Sequence, residues 1–419
     1  MYRPVATTDE LAPDCQLPSD VILIAVDGGN ENPDGAKTQL QDGKYHRKKE
    51  PVKLKFLNGL RGLACLLVVH HHAGYLPEST LAPSSVDAFF VLSAFLLTML
   101  NEPKVYQAIS RNESPRRWLV TLVDYFVKRM LRVYPLFACV ALALTLMPEA
   151  TRNRYYNLEK YDIKQWSLWD VLAFKKRYYL FWTLPLEISY YFIIPVFLVG
   201  VCLLGKLKWL VVALLYVWVY YDGGHTMRTK HDAFRPQLSV FVAGSLAAVV
   251  YSKLSRWMKK RPFEPEMRHL AAVRSFEWVM LAYIVSVISR GVFAESFVGY
   301  LFPSWHPTTP SISLPLSAVI VIEALLPSSI ARALEWNVLC YTGKISFSMY
   351  LLHPFVNFSP WLLELPRIDQ FTARLVLVYA LSTASYLVIE RGFQRLAVLI
   401  GKQLLKSSEP AVERTAISW

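Results

Sequence analysis

RGLACLLVVHHHAGY, residues Arg61 to Tyr75, is apolar through its middle, opens on an arginine and closes on three histidines. Such an apolar run reads as part of a membrane-spanning helix. Charged and titratable groups are expensive inside such a helix and mark a functional site there. The rest of the chain repeats the apolar pattern. Of 419 residues, 54% are hydrophobic and 14% aromatic, and the mean hydropathy is positive. About ten apolar blocks approach the ~20 residues that a spanning helix needs. They cover 57–76, 82–100, 133–148, 180–204, 208–221, 237–251, 275–291, 311–330, 341–358 and 371–390. The 133–148 block is short, and its helix is expected to begin earlier, within Tyr125–Arg132. The expected fold is all-α: a polytopic membrane protein of about ten transmembrane helices in one bundle.

The membrane domain is set at residues 56–395. Residues 1–55 are polar, and VILIAV (Val21–Val26) is too short to span, so this segment reads as a disordered cytosolic arm. Residues 396–419 form a short basic C-terminal tail. The polar, acidic start shows no cleavable signal peptide. The net charge is +13, but the basic residues flank apolar blocks. The positive-inside rule accounts for them, and no nucleic-acid partner is expected. Cys15, Cys65, Cys139, Cys202 and Cys340 lack paired spacing, which argues against a disulfide framework or a zinc site.

Lys44, Arg47, Lys48, Lys49, Lys53 and Lys55 precede the first span and place the N-terminus in the cytosol. Ten spans return the C-terminus to the same side. The basic connections 101–132 and 252–274 fit. The connection at 149–178 does not. Expected on the lumenal side, it carries Arg152, Arg154, Lys160, Lys164, Lys175, Lys176 and Arg177. Either the topology differs locally or this basic surface has a function.

Helix geometry separates the three histidines. Eleven steps from Arg61 to His72 turn about 1100°, roughly 20° past three full turns, over about 16 Å. Arg61 and His72 therefore share a face. His71 falls some 80° away, and His70 points nearly opposite. Consecutive helical residues diverge, so the triplet cannot chelate a metal, for which the helical spacing is i, i+4. His70 and His71 read as interfacial, hydrogen-bonded residues.

Other apolar blocks carry polar groups. SVDAFFVLSAFLLT (Ser85–Thr98) holds Asp87 and Ser93, and KRMLRVYP (Lys128–Pro135) sets Arg129 and Arg132 on one helix side. FWTLPLEISYYFIIP (Phe181–Pro195) holds Glu187, TGKISFSMYLLHPFV (Thr342–Val356) holds Lys344 and His353, and VIER (Val388–Arg391) ends on Glu390 and Arg391. With LNGLRG (Leu57–Gly62) and His72, this order resembles the acyltransferase 3 family of membrane-bound O-acyltransferases. The matching segments are LNGLRG with His72, FFVLSAFL, Arg129–Arg132–Pro135, Trp182 to Pro195 and Gly343 to His353. The resemblance covers about residues 55–395. The chain departs from the family pattern at Asn58, Ala94, Thr183 and Gly392, and the proline after His353 is displaced by one. Asn58 removes a carboxylate near Arg61.

The resemblance implies acyl transfer from acyl-CoA, chiefly acetyl-CoA, to a hydroxyl of a sugar, glycan or lipophilic small molecule. His72 is then the general base, since histidine titrates near operating pH. Glu187 is its expected orienting carboxylate, with Asp87 second; the structural alternative for Glu187 is an ion pair with Arg61 or Lys344. Arg129 and Arg132, with Lys128 and Arg61 in support, would hold the phosphates of acyl-CoA. Their alternative is contact with anionic lipid headgroups. Ser93, Trp182, Ser346, Tyr350 and His353 are substrate-side or structural; the serines open a covalent route, although direct transfer is preferred. The lipid bilayer and a hydroxylated acceptor are the other partners. The layout resembles the fungal branch of the family, where members stand beside secondary metabolism. A competing class is a proton-coupled or small-solute transporter, since intramembrane histidines and carboxylates also build proton relays.

Overall fold

A computed structural model describes residues 54–75, 79–156, 166–226, 234–260, 266–289 and 312–408. Residues 1–53 of the expected N-terminal arm lie outside these, as do residues 409–419 of the C-terminal tail and Lys160 and Lys164 of the basic connection. The described residues are helical and contain no strand. The helices are α1 (Lys55–His72), α2 (Leu81–Ser110), α3 (Pro115–Leu146), α4 (Glu149–Tyr156), α5 (Leu168–Leu172), α6 (Thr183–Leu203), α7 (Lys208–His225) and α8 (Arg235–Lys260). They continue as α9 (Met267–Ile288), α10 (Ser313–Leu325), α11 (Ser329–Leu334), α12 (Asn337–Asn357), α13 (Pro360–Leu363), α14 (Arg367–Ser385) and α15 (Arg391–Ser408). A 3₁₀ turn (Tyr179–Trp182) leads into α6, and a π turn (Tyr386–Glu390) joins α14 to α15.

Each expected span contains one of these helices. By length and composition, six stretches among the described residues are long and apolar enough to cross a membrane: Leu81–Ser110, Pro115–Leu146, Tyr179–Leu203, Arg235–Lys260, Met267–Ile288 and Arg367–Lys406. Large apolar side chains such as Leu146, Phe192, Val196, Leu203, Val285 and Val388 face outward. An apolar surface of that extent belongs in lipid. The protein is an integral, multi-pass membrane protein of all-α class.

The centre of the bundle is the seam of α1 with α11 and α12. A Cβ on Gly59 would sit 1.6 Å from the Leu334 carbonyl oxygen, on Gly62 2.1 Å from that of Leu339, and on Gly343 1.9 Å from that of Asn58. Glycine is what permits this approach, the usual device where helices pack without a hydrophobic driving force. The Cys65 thiol donates to the Ser346 carbonyl, and His72 meets His353, each pair 281 residues apart. One constant offset means that the helices run parallel and stay in step. α2 flanks α1 and packs in turn on α8 and α6. Phe90 meets Trp182 and Ser93 meets Glu187, so α2 and α6 are parallel; Tyr125 meets Tyr191 and Phe137 meets Phe181, so α3 and α6 are antiparallel. These are the directions that successive alternating spans would take.

Three expected ends move. α1 stops at His72 instead of running to 76, because Gly74 turns the chain at φ 79°. α3 starts at Pro115, ten residues before the earliest expected start, because Ser114 accepts a hydrogen bond from the Arg117 N–H and Pro115 occupies the first turn. The start of the tail is ordered: α15 is strongly amphipathic, packs on α3 and brings Gly401 against Asp124.

Candidate active site

His72 ends α1 and is half-buried, whereas His353, one turn before the end of α12, is fully buried. The parallel seam sets their rings edge to edge, 5.2 Å between centroids and 2° apart in orientation, with His72 Nδ1 3.0 Å from His353 Nε2. His353 Nδ1 lies 2.9 Å from the Tyr350 carbonyl oxygen and 3.3 Å from that of Met349. A carbonyl can only accept, so His353 Nδ1 carries the hydrogen and Nε2 of the neutral ring is an acceptor. His72 Nδ1–H donates to it. The Nε2 lone pair of neutral His72 is then left for other use, on a ring 5.4 Å from that of Tyr179.

Of the other histidines, His71 stays beside His72, with ring centroids 5.7 Å apart, and His70 diverges as the helix arithmetic requires. His70 turns its ring to Phe371 and Tyr75, and its Nδ1 bonds the Leu66 carbonyl at 2.6 Å. Arg374 fixes this side of the helix end by donating to the Ala73 and Asn357 carbonyls and to the Tyr75 hydroxyl.

A second cluster gathers around Arg61. Arg129, Arg132, Glu187 and Glu390 all lie within its electrostatic reach, drawn from α3, α6 and the π turn. Arg61 donates to Asn58 Oδ1 at 2.6 Å, so the asparagine supplies an acceptor without a charge. Glu187 Oε1 accepts from Ser93 and Tyr191, both at 2.8 Å. Buried Glu390 accepts from the Ser348 hydroxyl. Three arginines against two carboxylates leave one positive charge in excess. The Nε atoms of Arg61 and Arg129 are buried without a hydrogen-bond partner. Orphan donors and excess charge together fit an anion.

The structure thus brings His72 to His353, not to Glu187, the partner expected from sequence. Glu187 instead joins the arginines. Asp87 is buried in α2. Lys128 is ion-paired with Asp124 at 2.7 Å, beside α15, so its charge is already countered. Ser93 bonds Glu187, Ser346 donates to the Gly343 carbonyl of its own helix at 3.0 Å, and the Tyr350 hydroxyl donates to the Leu180 carbonyl at 3.3 Å. Trp182 meets Phe90 edge-on. Glu390 was visible only as a charge at the end of a span. Its π turn, a form frequent at functional sites, leaves no sequence signature.

The connection between α3 and α6 covers the His72 end. The Tyr156 hydroxyl donates to the Leu351 carbonyl at 2.7 Å, and its ring touches Tyr179, Phe181 and Phe355. Trp166 stacks on Tyr178 and lies under the guanidinium of Arg152. Burial, with Asp170 beside it, raises the Tyr178 hydroxyl above the ordinary tyrosine pKa, while Arg152 pulls the other way. Phe174 and Tyr179 hold positive φ, 57° and 38°, which is costly for bulky residues and concentrates at functional sites.

Comparison with known proteins agrees with this architecture. The acyltransferase 3 family model, described as an acyltransferase domain, matches residues 54–389. "Putative peptidoglycan O-acetyltransferase YrhL" of Bacillus subtilis (strain 168) is 23% identical over 83% of the chain and 56% of its own length. "Putative membrane-bound transacylase BcsY" of Komagataeibacter xylinus is 25% identical over 80% of the chain and 81% of its own length. "Putative O-acetyltransferase SACOL0978" of Staphylococcus aureus (strain COL) is 24% identical over 71% of the chain and 49% of its own length. The chain thus spans about half the length of the Bacillus and Staphylococcus relatives. No solved structure matches it.

Proposed function

The chain belongs to the acyltransferase 3 family, and from that premise we propose that it is a membrane-bound O-acyltransferase. It moves an acyl group, acetyl first among them, from acyl-CoA to a hydroxyl of a sugar, glycan or lipophilic small molecule. The observation that carries this reading is the hydrogen-bonded His72–His353 pair, which leaves a basic nitrogen on His72.

In this mechanism His72 Nε2 takes the proton of the acceptor hydroxyl as its oxygen attacks the thioester carbonyl. A tetrahedral oxyanion forms and collapses with loss of the CoA thiolate. The imidazolium returns its proton to that thiolate, and the histidine is neutral again. His353 holds the ring through Nδ1 throughout, the orienting role that a general base requires. Arg61, Arg129 and Arg132 hold the donor's phosphates, for which guanidinium forks are suited. Glu187, with Ser93 and Tyr191, limits the repulsion among the arginines. The arginine end of α1 lies about 16 Å from His72 along the helix, and the extended pantetheine arm of CoA bridges such a span. The arginine end and both termini then face the cytosol, the source of acyl-CoA.

The test follows acetyl-CoA consumption by the purified protein against a panel of hydroxylated acceptors, counting slow hydrolysis without acceptor as activity. Wild type is expected to consume the thioester, His72→Ala to lose this activity and His70→Ala to keep it. Equal rates in all three would overturn the assignment of His72. Binding of acyl-CoAs without any turnover would replace the enzyme by the transporter reading.

A further inference from the structure

The basic connection that contradicted the charge rule sits over the His72 end, and we propose that it recognises the acceptor: a hydroxylated molecule that also carries a carboxylate or phosphate. This deepens the acyltransferase reading and rests on it.

Four observations converge. First, the connection is built onto the site. Tyr156 of α4 binds the backbone of α12 two residues before His353, and Tyr179 touches His72 itself. Second, its charge is net positive. By sequence the connection carries seven cations, Arg152, Arg154, Lys160, Lys164, Lys175, Lys176 and Arg177, against four carboxylates, Glu149, Glu159, Asp162 and Asp170, and Asp170 is 3.8 Å from Lys176. Third, the cations are held in place. Arg152 lies over Trp166, 5.1 Å from the ring, one helical turn from Tyr156, and its Nε is buried without a hydrogen-bond partner. The Lys175 and Lys176 N–H groups both donate to the Asp170 carbonyl, and left-handed Phe174 and Tyr179 bracket the stretch. Fourth, Arg154 and Lys175 are exposed and His72 is half-exposed, so each is open to a ligand.

A cationic rim beside a base does two things for an anionic acceptor. It raises the local acceptor concentration by electrostatic attraction. It also fixes orientation, because guanidinium forks bind carboxylate and phosphate bidentately. The partly exposed Tyr179 ring, next to the base, supplies a flat apolar face on which a sugar ring can lie. Membrane insertion gives these cations no role on the expected lumenal side, since the positive-inside rule puts loop cations on the other.

The experiment uses the full chain in neutral detergent and three probes of equal length: a neutral glucose oligosaccharide, its glucuronate counterpart and its 6-phosphate. Equilibrium dialysis gives their affinities at low and high salt. At least tenfold tighter binding of an anionic probe than of the neutral one is expected, with the margin shrinking in salt and in Arg154→Gln/Lys175→Gln. The glucuronate and phosphate arms tell which anion is read. Arg116→Gln/Arg117→Gln, outside the connection, is expected to keep the margin. Arg152→Gln is a further variant, with the exposed pair standing if it misfolds. Equal affinities for all probes, or a margin lost only in the Arg116/Arg117 variant, would overturn the proposal. So would anionic lipid in the micelle abolishing the margin at equal ionic strength, because the rim would then be a lipid-headgroup surface. Thioester consumption by the same wild-type preparation reports separately on the acyltransferase reading.

Discussion

Position 72 holds an imidazole whose tautomer is set by a second imidazole, and that one by a carbonyl. Loss of a positioned base costs about 10²–10⁴-fold in rate, the drop expected for His72→Ala in thioester consumption. At 353 a glutamine oxygen can still accept from His72 Nδ1–H, whereas alanine cannot. His353→Gln is therefore expected to retain a kcat at least about tenfold above that of His353→Ala, given the usual size of acid–base effects, with donor KM similar in both. Equal kcat values would reduce His353 to a packing residue. Sequence alone singles out His72, because 100° per residue suffices to separate three consecutive side chains. It does not reach the partner, because nothing in a single chain reports that residues 281 apart lie in register. Glu187 is the natural choice from composition. Its carboxylate is engaged by Tyr191 one turn along its own helix and by Ser93 of α2.

Between helices, the seam of α1 and α12 depends on hydrogen in place of side chains. Gly343→Val puts branched carbon where the Asn58 carbonyl oxygen already lies. Overpacking costs typically 1–3 kcal/mol and more when backbone is the obstacle. A lower thermal midpoint in detergent is the expected readout. Gly200→Val, on α6 with nothing within 4 Å of its added Cβ, is the matched control and is expected to leave the midpoint unchanged. Helices are legible as apolar blocks, and each expected block holds one. Their ends are less so, because ends follow caps and turns, not hydropathy. Ser114 and Pro115 start α3 well ahead of its apolar run, and Gly74 stops α1 inside its own.

The described residues together present an apolar exterior, with six stretches among them long enough to span. It is expected to stay with the membrane fraction through alkaline carbonate and high salt, and to leave it only in detergent. Release by carbonate would contradict the multi-pass architecture. Bundle class and membrane residence were both readable from composition. The cover over His72 was not, because short helices such as α4 and α5 have too little apolar periodicity to announce where they dock. Its charge, at odds with the topology rule, was the one trace it left.

The register of α1 and α12 also fixes an order of events. The two helices are separated by 281 positions in the chain, which at about 5–20 residues per second takes roughly 15–55 s to synthesise. For that interval α1 stands in or beside the bilayer with Arg61 and His72 still lacking the neighbours that α12 and the π turn supply. A central arginine costs about 2.5–3.5 kcal/mol on an insertion scale, so the nascent first helix is at its least secure then. Ribosomes that stop before residue 337 leave a glycine-faced helix with no mate, a ready mark for the quality-control machinery that removes unfinished membrane proteins.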